Sequence, residues 1–180
     1  MAVKRKLNIE EMQRLTPEAF RDAHKTPIVV ILDNVRSMHN VGAVFRTADA
    51  LCLEGVALCG ITATPPQPEI HKTALGAEEV VSWTYYNDAV VAVQQLHAEG
   101  YSVWAVEQTE NSTFLQDLPS RLPNKPIALV LGNEVKGVQQ SVIDLCDGVI
   151  EIPQHGTKHS LNVSVAAGMV LWVVSRCMKL

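Results

Sequence analysis

Residues 28–32 (Ile-Val-Val-Ile-Leu) and 127–131 (Ile-Ala-Leu-Val-Leu) are short runs of nothing but aliphatic side chains. A strand with one face in water alternates apolar and polar residues, so an unbroken run marks a strand covered on both faces. From residue 28 onward such runs alternate with stretches of helical spacing. Residues 56–59, 80–85, 102–106 and 149–152 read as further strands. Helices are expected over 41–52, 88–99 (closed by Gly100), 139–146 and 161–178. The pattern is that of the α/β class: an open, mostly parallel sheet with helices on both faces.

A chain of 180 residues suits one such domain. Ahead of it, residues 8–24 carry helical spacing, and Thr16-Pro17-Glu18 is a good helix start. That piece is too small to bury a core of its own. Residues 1–26 therefore read as a short helical extension and residues 27–180 as the domain. The last helix is apolar nearly all round, with Val163, Val165, Ala166, Met169, Val170, Trp172 and Val173. Such a helix needs cover on every side, and a second copy of the chain, giving a homodimer, is the expected cover.

The four cysteines fall at irregular spacings without a CxxC pair, which argues against a disulfide framework or zinc ribbon and for reduced thiols in a cytoplasmic protein. No apolar core follows Met-Ala-Val-Lys-Arg-Lys at the start, so no signal peptide is read there. The longest apolar stretch, 163–174, contains Ser164 and is shorter than the ~20 residues a bilayer span needs. No membrane association is expected.

The formal net charge of −4 argues against a protein held to polyanions by bulk charge, but it is unevenly spread. Residues 1–46 hold eight lysines and arginines against five carboxylates, a net of +3, whereas residues 47–180 hold seven against fourteen, a net of −7. An anionic partner should meet the first quarter of the chain. Lys4, Arg5, Lys6, Arg14, Arg21, Lys25 and Arg36 can track a phosphate backbone, with an affinity that falls steeply with salt. The plainer reading is a solvated N-terminal face.

Several familiar chemistries fail on spacing. Gly132-Asn-Glu-Val-Lys-Gly137 has the glycines of a P-loop but continues Val138-Gln139 where Lys-Ser/Thr is required. No GxGxxG follows the first strand and no GxSxG is present. His155 and His159 follow Pro153 and bracket Gly156, so a loop, not a helical metal pair, is expected; no metal is called for.

Three polar islands remain, each at the carboxyl end of an expected strand, the edge where open parallel sheets bind ligands. The first runs from Asp33 to Arg46. Asn40 stands where an N-cap should be, Gly42 leaves room for a bound chain, and Arg46 lies on the same helix face within reach of phosphate or ribose oxygens. An ordinary capped helix with a surface arginine explains it as well. The second, 131–137, sets two glycines round Glu134: either a loop held round a ligand or a turn that merely needs glycines. The third, 152–164, is a polar loop running into the last helix. Ser160 is a reasonable N-cap, and Asn162 and Ser164 enter an otherwise apolar helix, where polar groups must find partners.

Together the islands resemble a known family. Asn40-Val-Gly42 with Arg46, Leu131-Gly132-Asn133-Glu134 with Gly137, and Ile152-Pro153 followed by Ser160-Leu161-Asn162-Val163-Ser164 look like the three signature motifs of the SpoU/TrmH RNA ribose 2′-O-methyltransferases of the SPOUT superfamily. Order and separation agree over residues 27–178; Gln154 departs from the methionine common after Ile-Pro. The resemblance implies an α/β fold with a C-terminal trefoil knot and S-adenosylmethionine bound by three loops. Carried over, these are Val106, Glu107 and Gln108; Gly132 and Asn133; and Ile152, Ser160 and Leu161. It implies dimerisation through the C-terminal helix, a site shared between subunits, and tRNA or rRNA as substrate with guanosine the expected nucleoside. Arg46 would activate the 2′-hydroxyl and contact RNA; Asn40, Ser160 and Asn162 would orient it, and Glu134 would tie down the second loop. The rival readings are a non-catalytic RNA-binding or assembly factor on the same fold, and a different nucleotide-dependent α/β enzyme.

Overall fold

The computed structural model describes residues 4–8 and 10–178; residues 1–3 and 179–180, the outer ends of the expected extension and domain, lie outside the described residues. Seven strands form one sheet: β1 (Thr26–Asp33), β2 (Leu53–Cys59), β3 (Trp83–Tyr86), β4 (Ser102–Val106), β5 (Thr113–Phe114), β6 (Ile127–Leu131) and β7 (Gly148–Glu151). Their order is β3-β2-β1-β6-β4-β7-β5, and every pairing is parallel.

The unbroken aliphatic runs are explained by two cores. Ile28, Val30 and Leu32 of β1 and Ile127, Leu129 and Leu131 of β6 point to one face, under α2 (Met38–Ala50), α3 (Pro68–Ala74), α4 (Ala77–Val80) and α7 (Val163–Cys177). Ile31, Ala128 and Val130 point to the other, under α5 (Ala89–Ala98) and α6 (Gln140–Ile143). A buried aliphatic side chain of this size stabilises the fold by roughly 1.5–3 kcal/mol, so neither parity of the strands can turn polar.

The structure corrects several expected boundaries. Residues 80–85 are not one strand: α4 ends at Val80, and β3 begins only at Trp83. Gly76, at φ +94°, turns the chain into α4, and Val81 is apolar because it is buried, not because it is extended. Among the described residues the N-terminal piece is helical only at α1 (Pro17–Asp22), capped by Thr16, with a 3-10 turn at Glu10–Met12 before it. Phe20 of α1 enters the main core. The α2 helix begins three residues earlier than expected and is capped by Ser37, whose hydroxyl accepts from Asn40 N–H at 3.3 Å, so Asn40 lies inside the helix and is not its N-cap. Ser160 is not a cap either. Asn162 caps α7, accepting from the N–H groups of Ser164 and Val165. The Asn162 side chain thus sits just ahead of an otherwise apolar helix and satisfies two of the orphan backbone donors of its first turn.

Gly42 is also reassigned. It faces no ligand: a Cβ there would lie 2.2 Å from both the Ile70 carbonyl oxygen and Thr73 Oγ1 of α3. Its use is to let α2 and α3 cross in contact, a crossing locked by Thr73 Oγ1 donating to the His39 carbonyl at 2.9 Å.

The four cysteines are free, and burial pushes the Cys59 thiol up to about 12, so it is inert. Among the described residues no helix is long and apolar enough to cross a membrane. The segments 34–37, 107–112, 132–139 and 152–162 follow β1, β4, β6 and β7, four neighbours in the sheet, and so gather at one edge.

Gly42→Ala should force α2 and α3 apart and destabilise the fold by about 1–3 kcal/mol. Urea denaturation would show this as a lowered midpoint at unchanged slope.

Candidate functional site

The loop after β6 is closed on itself before it touches anything else. Asn133 and Gly137 exchange both backbone hydrogen bonds, at 3.0 and 2.8 Å, and Asn133 Oδ1 accepts from the N–H groups of Val135 and Lys136. Both glycines are required by that closure. A Cβ on Gly132 would fall 2.1 Å from the Gly137 carbonyl carbon, and Gly137 sits at φ +68°. The turn-forming reading of these glycines is therefore sufficient, and the loop they make is rigid.

Three carboxylates hold the loop to the sheet. Asp33, fully buried at the end of β1, accepts from Gln139 N–H (3.0 Å), Gln139 Nε2 (2.9 Å) and Asn34 Nδ2 (2.8 Å). Glu107, just past β4, accepts from Val138 N–H at 3.0 Å and Gln108 N–H at 2.8 Å. Glu134 reaches across to the β1–α2 connection. Its carboxylate accepts from the N–H groups of Arg36 and Ser37, both at 2.9 Å, and from Asn40 Nδ2 at 3.0 Å. Burial by itself would raise the Glu134 carboxyl, but these donors outweigh it, and the group sits below its ordinary value.

Asn40 carries the connection onward. It is almost fully buried, and its Oδ1 accepts from Asn162 Nδ2 at 3.1 Å, while Asn162 Oδ1 also accepts from Ser164 Oγ at 2.7 Å. One continuous network thus joins all three polar islands, and Asn162 and Ser164 find in it the partners their place in an apolar helix demands.

Beside the network lies a cavity of about 470 Å³. Val106, Glu107 and Gln108, then Gly132, Asn133 and Glu134, then Ile152, Ser160 and Leu161 all line it. Its apolar side is completed by Ile150, Val163 and Ala166. The segment 153–162 has no regular structure, as expected for the histidines in it, and Gln108 Nε2 donates to the His159 carbonyl at 3.1 Å, pinning that strap over the cavity.

Arg46 stands apart. It lies six residues beyond Asn40 on α2, roughly 9 Å along the helix axis. It is exposed and lines a second, open groove of about 790 Å³ with Arg14, Thr47, Lys72, Thr73, Gly168 and Trp172. Asn40 hydrogen-bonds to Asn162 and to Glu134, and neither asparagine bonds to Arg46. Of the other basic residues, Arg14 joins Arg46 in the groove, and Lys4, Lys6, Arg21 and Arg36 are exposed. Arg5 is paired with Glu11, and Lys25 packs over the Phe20 ring at 4.0 Å and donates to the Phe20 carbonyl, so both serve the local fold.

The sequence reading gave no role to Asp33, Lys72 or Thr73. An aspartate closing an aliphatic strand was the available signal for the first. For the others it was the Gln67-Pro68-Glu69 start of α3, the same Pro-Glu signature that had marked α1.

This arrangement agrees with what the chain resembles among known proteins. The family model described as the SpoU rRNA Methylase family matches residues 27–172. The chain belongs to the SpoU rRNA methylase family. A relative from Vibrio parahaemolyticus, the 23S rRNA (guanosine-2'-O-)-methyltransferase RlmB, is 33% identical over 153 residues, covering 85% of this chain and 60% of the relative. The protein of the same name from Coxiella burnetii is 34% identical, covering 93% and 67%. Among solved structures, the A. aeolicus TrmH/SpoU tRNA modifying enzyme superposes with a TM-score of 0.77 at 26% identity, covering 89% of this chain and 81% of that one. The AdoMet bound rRNA methyltransferase from Sinorhizobium meliloti gives 0.76 at 28%, covering 87% and 59%. The chain spans about three fifths of the length of most of the curated relatives it matches.

Because the Glu134 carboxyl is lowered in the fold, its contribution to stability is complete above its ordinary value of 4.5 and is lost as pH falls through the folded value. Glu134→Gln should flatten that acid limb. At neutral pH it should also cost about 1–3 kcal/mol, by leaving backbone donors at residues 36 and 37 unmatched. Denaturation midpoints measured from pH 7 to pH 3 would check both.

Proposed function

We propose that this chain is an S-adenosylmethionine-dependent methyltransferase acting on a ribose 2′-hydroxyl of tRNA or rRNA, with guanosine as the nucleoside modified. The observation that carries the reading is the convergence of three distant loops on one cavity at the carboxyl edge of the sheet, in a chain of this family. The cavity suits the cofactor. Its volume of about 470 Å³ lies within the roughly 300–1,000 Å³ of small-molecule sites. Ile150, Ile152, Leu161, Val163 and Ala166 offer an apolar seat for an adenine, and the backbone of loops 106–109 and 132–138 offers polar edges. Glu107 and Glu134 in the walls favour the positive charge of a sulfonium.

When bound, the cofactor supplies a methyl group on sulfur that is open to in-line displacement. The chain's own task is positioning. The Glu134–Asn40–Asn162 network holds the two cavity loops in register with α2 and α7. Arg46 presents a planar fork of donors that suits a phosphate and the neighbouring hydroxyl together. Arginine side chains stay protonated in proteins, so Arg46 orients the hydroxyl and stabilises developing oxyanion charge, while the proton leaves to phosphate or water.

Arg46 and the cofactor cavity are to be joined across a homodimer. Val165, Met169 and Trp172 form a stripe on α7 that is 42–59% exposed, an apolar face next to Arg46 for a second copy to cover. The partner's cavity then faces this protomer's arginine. Residues 1–26 act as an RNA-contacting extension. The finer fold reading is a trefoil knot. In its favour, β7 lies beyond β4, yet Asn162 bonds to Asn40 beside β1, so the 152–162 segment must cross the loops of β4 and β6.

Transfer of a labelled methyl group from S-adenosylmethionine to tRNA or rRNA, with nuclease mapping of the 2′-O-methyl nucleotide, tests the activity. RNA binding without turnover would favour the assembly-factor reading. Arg46→Ala and Gly132→Val should each be inactive alone. Mixed dimers should regain activity, since one of their two sites has both an intact cavity and an intact arginine; no recovery on mixing would place Arg46 in its own protomer's reaction.

A further inference from the structure

The groove around Arg46 holds more positive charge than its arginine. Arg14, Arg46 and Lys72 line it, and among the described residues no carboxylate does, in a chain whose formal net charge is −4. Lys72 is brought there by the α2–α3 crossing. With Gly42 in contact with α3 and Thr73 Oγ1 donating to the His39 carbonyl, α3 cannot slide along α2, so the residue before Thr73 is held at the groove's rim. Its ammonium has little else to do. The ion pair with Glu69 spans 3.8 Å between side chains 64% and 45% exposed, a geometry that contributes little. Arg14 comes from the link between the 3-10 turn and α1, so the three cations come from that link, α2 and α3.

We infer that Lys72 and Arg14 are substrate-positioning residues that seat the RNA backbone phosphates on either side of the nucleotide addressed by Arg46. The inference rests on the methyltransferase reading for the identity of that nucleotide, but the groove's affinity for RNA is separable from it. With its Trp172 side given to the second copy, the rest of the groove, lined by Arg14, Arg46, Thr47, Lys72 and Thr73, carries cations and, among the described residues, no acids, which selects a polyanionic chain over a compact neutral ligand. The seating acts on register: a chain held at two phosphates presents one ribose, and not its neighbours, to Arg46.

The test uses the full chain with Lys72→Gln, Arg14→Gln and the conservative Lys72→Arg. Binding of a fluorescent tRNA transcript is titrated between about 50 and 200 mM salt. Each glutamine variant should weaken binding about threefold to tenfold and reduce the slope of log K against log salt by about one. Lys72→Arg should keep both near wild type, and thermal midpoints should not move, since both side chains are exposed. In the transfer assay the loss should fall on KM for RNA and not on kcat, with S-adenosylhomocysteine affinity unaltered. Wild-type slope and KM in both glutamine variants would overturn the assignment, as would a wild-type chain without salt-dependent RNA binding. Failure of the wild type to bind S-adenosylhomocysteine would defeat the methyltransferase reading alone, and the salt titration would still decide the groove.

Discussion

The Glu134 carboxylate takes two backbone N–H groups from the β1–α2 connection and one amide from Asn40, and through it the loop after β6 is bound to the first helix of the domain. The cavity loop is tied to α2, and through Asn40 to α7, by this clasp. The cavity loop is rigid by its own glycines and Asn133, but rigidity alone would not orient it against α2. Asn40 then relays the constraint to Asn162, so the start of α7 and the strap over the cavity are set by the same carboxylate. Such a chain of charge-assisted and amide hydrogen bonds in a half-buried place is stiff because each member is satisfied, and no buried side-chain polar atom among the described residues lacks a partner.

The architecture was legible where burial dictated residue type. Strands covered on both faces cannot alternate, and β1 and β6 came through from their aliphatic runs, and β4 from its largely apolar one, with little error. The reading failed where side chains are apolar for another reason. Val80 and Val81 resemble a strand, but they end a short helix that packs into the core. The two-residue β5 is too short for any periodicity to show. The seven-residue α3 is marked only by its Pro68-Glu69 start, because two turns are too few for helical periodicity to stand out.

The lining of the cavity was legible in the sequence, whereas Arg46, expected beside it, lies in a separate groove. The residues expected round the cofactor lie together because motifs at strand ends share the sheet's carboxyl edge, a rule of topology that needs no side-chain detail. Roles within a motif depend on where a helix begins. A shift of three residues took the capping role from Asn40 and gave it to Ser37, which freed the Asn40 amide to bridge Glu134 and Asn162. Similarly, Gly42 was required by the backbone of α3, a neighbour that cannot be inferred from the motif itself.

The bond from Asn162 to Asn40 joins residues 122 positions apart. A ribosome makes Asn40 long before Asn162, so the network that joins the three cavity segments cannot close until the start of α7 has been made. The cavity is thereby withheld from incomplete chains. A nascent fragment can build β1 and α2, yet the cavity lacks the wall made by residues 150–166 until the C-terminal segment emerges and docks.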